Sequence, residues 1–150
     1  MFSMLLFLCS CGKQYDCKDR PLTLGLVGFD STELSELKVV AMDGNRAIDS
    51  SVFNEPSLCF FKTGDTAIFN FGALKVASEQ VFSKKYKWKI TVLKTGKTAL
   101  IGDIVHNKTY KKCGGIFSLD CFPCFNPIVS VNVDGLPYNI DNMGIVYIVK

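Results

Sequence analysis

The sequence predicts a small antiparallel β-sandwich, all-β and immunoglobulin-like or related, built from seven to nine short strands. Three observations predict it. Turn signals recur roughly every 8–12 residues. Twelve Phe and five Tyr, with many Val and Ile, favour the pleated surface of a sheet. No segment carries an amphipathic period long enough for a helix. The 150 residues suit one domain, and 48% hydrophobic against 21% charged residues is the balance of a globular chain, not a disordered one.

Taken in order, Leu22–Gly28 alternates with Leu22, Leu24 and Leu26 on one side, a first strand. Asp30-Ser31-Thr32-Glu33 has the form of a capping box, but β-branched Val39 and Val40 follow closely, so a single helical turn or a loop leading into strand Leu37–Met42 is expected. Asp43-Gly44-Asn45 is a turn, and Ala47–Pro56 reads as a connecting loop. Leu58–Phe61 and Thr66–Phe71 read as two strands around Thr63-Gly64-Asp65. Tyr86–Val92 is the clearest strand. Tyr86, Trp88, Ile90 and Val92 share one face, while Lys85, Lys87, Lys89 and Thr91 share the other. Thr95-Gly96-Lys97 returns the chain as a hairpin along Thr98–Val105. In Ile128–Val133, alternation directs Val129, Val131 and Val133 inward. Asp134-Gly135 is a two-residue hairpin signal, and Ile145–Val149 reads as a buried last strand.

The amino terminus is read differently. Met1–Leu8 is uncharged and apolar, far short of the roughly 20 residues that span a bilayer, and matches the apolar core of a secretion signal. Leu8-Cys9-Ser10-Cys11-Gly12-Lys13 resembles the lipobox of bacterial lipoproteins, with an aliphatic residue at −3, a small one at −1 and then the acceptor cysteine. The resemblance implies cleavage before Cys11, diacylglycerol on its thiol and acylation of the new amino terminus, since one acyl chain anchors only marginally. A start upstream of Met1 would supply the basic residues that this leader lacks. The expected organisation is a signal peptide over 1–10, a polar tether over 11–21 and the sandwich over 22–150.

Leu26–Leu34, Tyr86–Gly96 and Cys124–Gly135 are similar to segments of small, functionally uncharacterised lipoproteins of Gram-negative bacteria. The resemblance implies location and fold, with no active site attached. Gly12 and Lys13 after Cys11 imply the outer membrane, facing the periplasm.

Seven cysteines are many for a reducing cytosol and ordinary for an oxidising compartment. A disulfide from Cys113 to Cys121 or Cys124 is expected, closing the Phe-rich loop between them. Cys59 lies in an apolar run and reads as buried, while Cys17 either pairs or stands idle. Cys121-Phe122-Pro123-Cys124 has the form of a thiol-disulfide oxidoreductase motif, and an envelope redox protein using Cys121 and Cys124 is the alternative function. Pro127 and the valine alternation deny the helix that would acidify the first thiol. Zinc would need two closely spaced ligand pairs, and among Cys113, Cys121 and Cys124 there is only one, Cys121 with Cys124. No metal or cofactor is expected.

His106 is the sole histidine, with no nucleophile-elbow motif nearby, and reads as a solvated strand-end residue. Four Glu and ten Asp are dispersed, without a catalytic pair. Lys85, Lys87 and Lys89 form a basic face that could bind an anionic envelope polymer or guard an edge. Because Tyr86 and Trp88 point the opposite way, the stacking aromatics of a nucleic-acid site are missing from that face. The net charge of +3 neither demands nor excludes an acidic partner, and no nucleic acid is expected. The sequence therefore points to a non-enzymatic structural or binding module, joined to a membrane by lipid and partnered by an envelope protein or glycan.

Overall fold

The computed structural model describes residues 13–54, 59–71, 74–113, 124–140 and 143–150. Two sheets carry the fold. The larger has the order β15 (Leu136–Asn139), β14 (Ile128–Val133), β11 (Thr98–His106), β10 (Lys87–Val92), β4 (Glu36–Asp43) and β5 (Arg46–Asn54). The smaller has the order β16 (Ile145–Val149), β3 (Thr23–Val27), β7 (Thr66–Asn70) and β6 (Cys59–Thr63). Three two-stranded ribbons complete it: β1 (Lys13–Asp16) with β12 (Tyr110–Cys113), β2 (Lys18–Asp19) with β13 (Phe125–Asn126), and β8 (Lys75–Val76) with β9 (Glu79–Gln80).

The protein is all-β and sandwich-like, because alternate side chains from both sheets merge in one core. Leu24, Leu26, Phe69 and Val146 enter from the smaller sheet; Leu37, Val39, Trp88, Ile90 and Ile101 enter from the larger. The indole of Trp88 is fully buried, and its Nε1–H donates to the Ser83 carbonyl at 2.9 Å, so burial leaves no unpaired donor. Phe82 stands edge-on between Phe71 and Trp88, at ring distances of 5.2 and 6.4 Å.

The alternation in Leu22–Leu26 and Trp88–Val92 is realised as read. So is the Asp134-Gly135 turn, where both residues adopt positive φ, 53° and 81°, matching the twist of the strands they join. Asp30 and Glu33 form the reciprocal capping contacts, Asp30 N to Glu33 Oε2 at 3.0 Å and Glu33 N to Asp30 Oδ1 at 2.9 Å. They start a single 3-10 turn, Glu33–Ser35.

Five expectations need correction. The strands outnumber seven to nine, since the two sheets alone hold ten. The packing is not wholly antiparallel either: β16 runs parallel to β3, with Tyr147 opposite Gly25, and β2 runs parallel to β13. A Cβ on Gly25 would lie 2.6 Å from the Tyr147 ring, so the bare backbone there admits the tyrosine.

Ala47–Pro56 is not simply a loop. Residues 46–54 form the edge strand β5, paired along β4, and its side chains are largely exposed, Ile48 and Val52 included, with Phe53 packed against the core. Val129 does not face inward; it is 45% exposed. The register between β11 and β14 shifts between Gly102 and Val105 and again before His106, and Asp103 takes φ 49°. Such a bulge breaks the period of two, so Ile128 and Val131 become the buried positions.

The segment read as a tether carries β1 and β2. From Lys13 onward its backbone is paired, Lys13 opposite Cys113 and Asp16 opposite Tyr110.

Trp88→Ala removes the centre of the core and is expected to cost about 3–5 kcal/mol, whereas Val129→Ala should stay within roughly 0.5 kcal/mol. Denaturant unfolding of both variants separates the two positions.

Candidate functional site

Where β11 ends, three chain segments converge on one buried amide. Asn126 of β13 is the buried polar side chain there, 5% exposed. Its Nδ2 donates to the Cys17 carbonyl at 2.9 Å and to Asp19 Oδ1 at 2.8 Å. Its Oδ1 accepts from the Thr109 amide at 2.8 Å and the Thr109 hydroxyl at 3.1 Å. All its capacity used here is matched, as burial requires.

Beside this amide Cys17 and Cys124 form a disulfide, with Cα atoms 4.9 Å apart and a separation of 107 positions in sequence. Cys124 is thus a half-cystine as expected, but its partner is Cys17, not Cys113. The β2–β13 pairing, in which Lys18 N donates to the Cys124 carbonyl at 3.1 Å, brings the two together. Among the other expected residues, Cys113 ends β12 opposite Lys13, while Cys11 and Cys121 lie outside the described residues. With its sulfur bonded to Cys17, Cys124 is not joined to Cys121.

His106 closes this region. Its side chain is 9% exposed, so it is not the solvated residue read from sequence. Nε2 lies 3.0 Å from the Arg20 carbonyl oxygen. A carbonyl only accepts, so Nε2 carries the hydrogen and donates it. Nδ1 faces Asp19 Oδ2 at 3.8 Å, and Lys84 Nζ approaches the same oxygen at 3.4 Å.

Asp19, His106 and Ser83 line a common cavity of about 310 Å³. Three such residue types invite comparison with a hydrolytic triad. In a triad the histidine nitrogen facing the serine must be bare to take its proton. Here Nε2 is committed to Arg20, and the other nitrogen faces the carboxylate. In this arrangement the histidine holds two segments together and offers the serine no base.

The Asn126 amide hydrogen bond holds the Asp19 carboxyl below the usual carboxylate range, helped by His106 and Lys84 against an opposing push from partial burial.

The lysine face divides. Lys85 precedes β10 and pairs with Glu79 at 2.8 Å, over the ring of Tyr86. Lys87 lies across Gly102, whose added Cβ would meet its Cγ at 2.8 Å, with Nζ 3.9 Å from Asp103. Lys89 alone of the three opens on a separate shallow hollow of about 520 Å³ on the outer face of the larger sheet, shared with Lys38, Thr91, Ser50 and Asp49.

Asp19 binds its proton less tightly in the native state than in the unfolded one. The stability this supplies is fully present above about pH 4, the ordinary aspartate range, and drains away as pH falls through the lowered native value. Thermal unfolding from pH 6 to 2 should show a shallower acid loss in Asp19→Asn than in the parent. A second expectation concerns the cross-link: the paired change Cys17→Ser and Cys124→Ser should cost about 2–5 kcal/mol, read from urea unfolding under non-reducing conditions. Comparison with protein-family models, curated proteins and solved structures finds no match for this chain.

Proposed function

We propose that this chain is a lipid-anchored protein of the bacterial cell envelope, a structural or binding module without catalytic activity. The reading joins three features. Cys11 sits at a lipobox-like junction behind an apolar leader. The Cys17–Cys124 disulfide suits an oxidising compartment outside the cytosol. The one histidine is committed to a carbonyl and a carboxylate, which favours a structural role for the cluster around it.

The disulfide carries the reading. It lies six residues beyond the proposed acylation site and fastens the anchor-proximal segment to the body of the sandwich. A module held by its amino terminus gains most from a bond at that place, because the chain next to an anchor is where fraying would otherwise begin. Binding would fall to the outer face of the larger sheet, whose hollow offers Lys38, Lys89, Thr91 and Ser50 to a protein or glycan partner.

Expression of the full chain in a Gram-negative host tests the anchor. The mature protein should begin at Cys11, carry diacylglyceryl and amide-linked acyl groups by intact mass, and fractionate with membranes; Cys11→Ser should retain the leader and lose the acyl mass. An unmodified Met1 on water-soluble, fully reduced protein would overturn the reading.

A further inference from the structure

We infer that the β1–β12 ribbon, with the exposed lysines beside it, is the face this protein lays against an anionic phospholipid surface. The inference rests on the proposed anchor at Cys11 and adds an orientation to it. Chain length is the first argument. Only Gly12 separates Cys11 from β1, so the acylated residue lies at most about 7 Å from Lys13. Lys13 is itself fixed opposite Cys113. No stalk holds the sandwich away from the bilayer, and the ribbon must come down with the acyl chains.

Charge is the second argument. β1 and β2 carry Lys13 and Lys18; Lys108 precedes β12, and Lys111 and Lys112 lie on it. Lys18 and Lys108 are exposed and adjacent, because the Cys17 amide donates to the Thr109 carbonyl at 3.3 Å. Of the carboxylates on β1 and β2, Asp19 is held by Asn126, with Lys84 and His106 close by. That leaves Asp16 against five lysines. Basic residues next to an anchor attract anionic headgroups, each adding to the partition within a Debye length of the surface. Tyr110 and Phe125, 57% and 45% exposed, give the same end of the molecule apolar surface suited to the headgroup boundary.

The opposite end of β11 supplies the control. Nine residues of β11 put the Thr95–Gly96 turn about 27 Å from the His106 end, well beyond a Debye length.

The test is hydrogen–deuterium exchange on the lipidated full chain reconstituted into vesicles, either wholly zwitterionic or with about a third phosphatidylglycerol. The flotation assay reads the anchor and the exchange reads the orientation. Amides of residues 13–19 and 108–113 should slow severalfold on anionic vesicles relative to zwitterionic ones, while residues 93–97 should not change. Raising the salt to 0.5 M should erase the difference without releasing the protein. Lys18→Glu with Lys108→Glu should erase it too, each reversal weakening headgroup attraction at least about fivefold.

Protein that fails to float sinks the anchor itself. Protein that floats with equal exchange on both vesicle types, or with slowing at residues 93–97 instead, overturns the orientation. Slowing of the ribbon only on addition of another envelope component would assign the face to that component and also overturn it.

Discussion

The Asn126 side chain is the point on which the placement of the amino-terminal segment, residues 17–19, depends. It is a short, neutral group whose two ends are used in opposite senses: the amide nitrogen reaches the Cys17 carbonyl and Asp19, and the oxygen receives both donors of Thr109. No apolar residue of that size could replace it without orphaning a backbone amide and a carbonyl in a closed site, at about 1–3 kcal/mol for each group. Because its partners lie 107 to 109 residues away on one side and 17 on the other, it joins parts of the chain that no local preference would bring together. The disulfide then makes the same junction permanent. Seen this way, the Cys17–Cys124 bond does not create the contact between β2 and β13; the hydrogen bonds align the two segments, and the sulfurs lock what they align.

This explains which parts of the fold the sequence discloses. A strand with one wet face and one dry face writes its geometry in its own residues, and Lys87-Trp88-Lys89-Ile90 does so plainly. A two-residue turn needs particular backbone angles, and Asp134-Gly135 states them. Along β5 only Phe53 packs against the core and most other side chains are wet, so polarity no longer distinguishes a strand from a loop, and pairing to β4 marks it as a strand. β1 and β2 are hidden because they are short and polar in sequence, so only their pairing to β12 and β13 marks them as strands. Val129 is hidden differently: the bulge at Gly102–Asp103 belongs to the neighbouring strand, so nothing within Ile128–Val133 announces the slip.

The candidate site follows the same rule. That Cys124 is one of the candidates for a disulfide is legible from the number of thiols, while its partner is decided by the β2–β13 pairing, which is a property of the assembled fold. His106 reads as a solvated residue because its hydrophobic neighbours Ile104 and Val105 end there. Its burial comes from the Arg20 carbonyl, 86 residues away. The lysines of β10 are visible as a face but not as separate environments. Glu79 and Asp103 come from outside the strand, and exposed pairs of this kind contribute little to stability, so they redistribute charge more than they hold structure.

A protein fastened at one end must pass any pull on its anchor into its core without unravelling. Force applied at Cys11 would enter at Lys13 and meet the four paired positions of β1 and β12. Those hydrogen bonds alone could be opened one after another. At Cys17 the path changes from hydrogen bonds to a covalent bond, and from there it enters Cys124, Asn126 and Ile128, the start of β14. That strand is paired on both sides, to β11 and β15, and buries Ile128 and Val131 in the core. The load therefore bypasses Leu22 and the smaller sheet, and the segment between anchor and cross-link can yield while the sandwich remains folded. The position of the disulfide, close behind the proposed anchor and well ahead of the first core strand, is the one that divides the chain in this way.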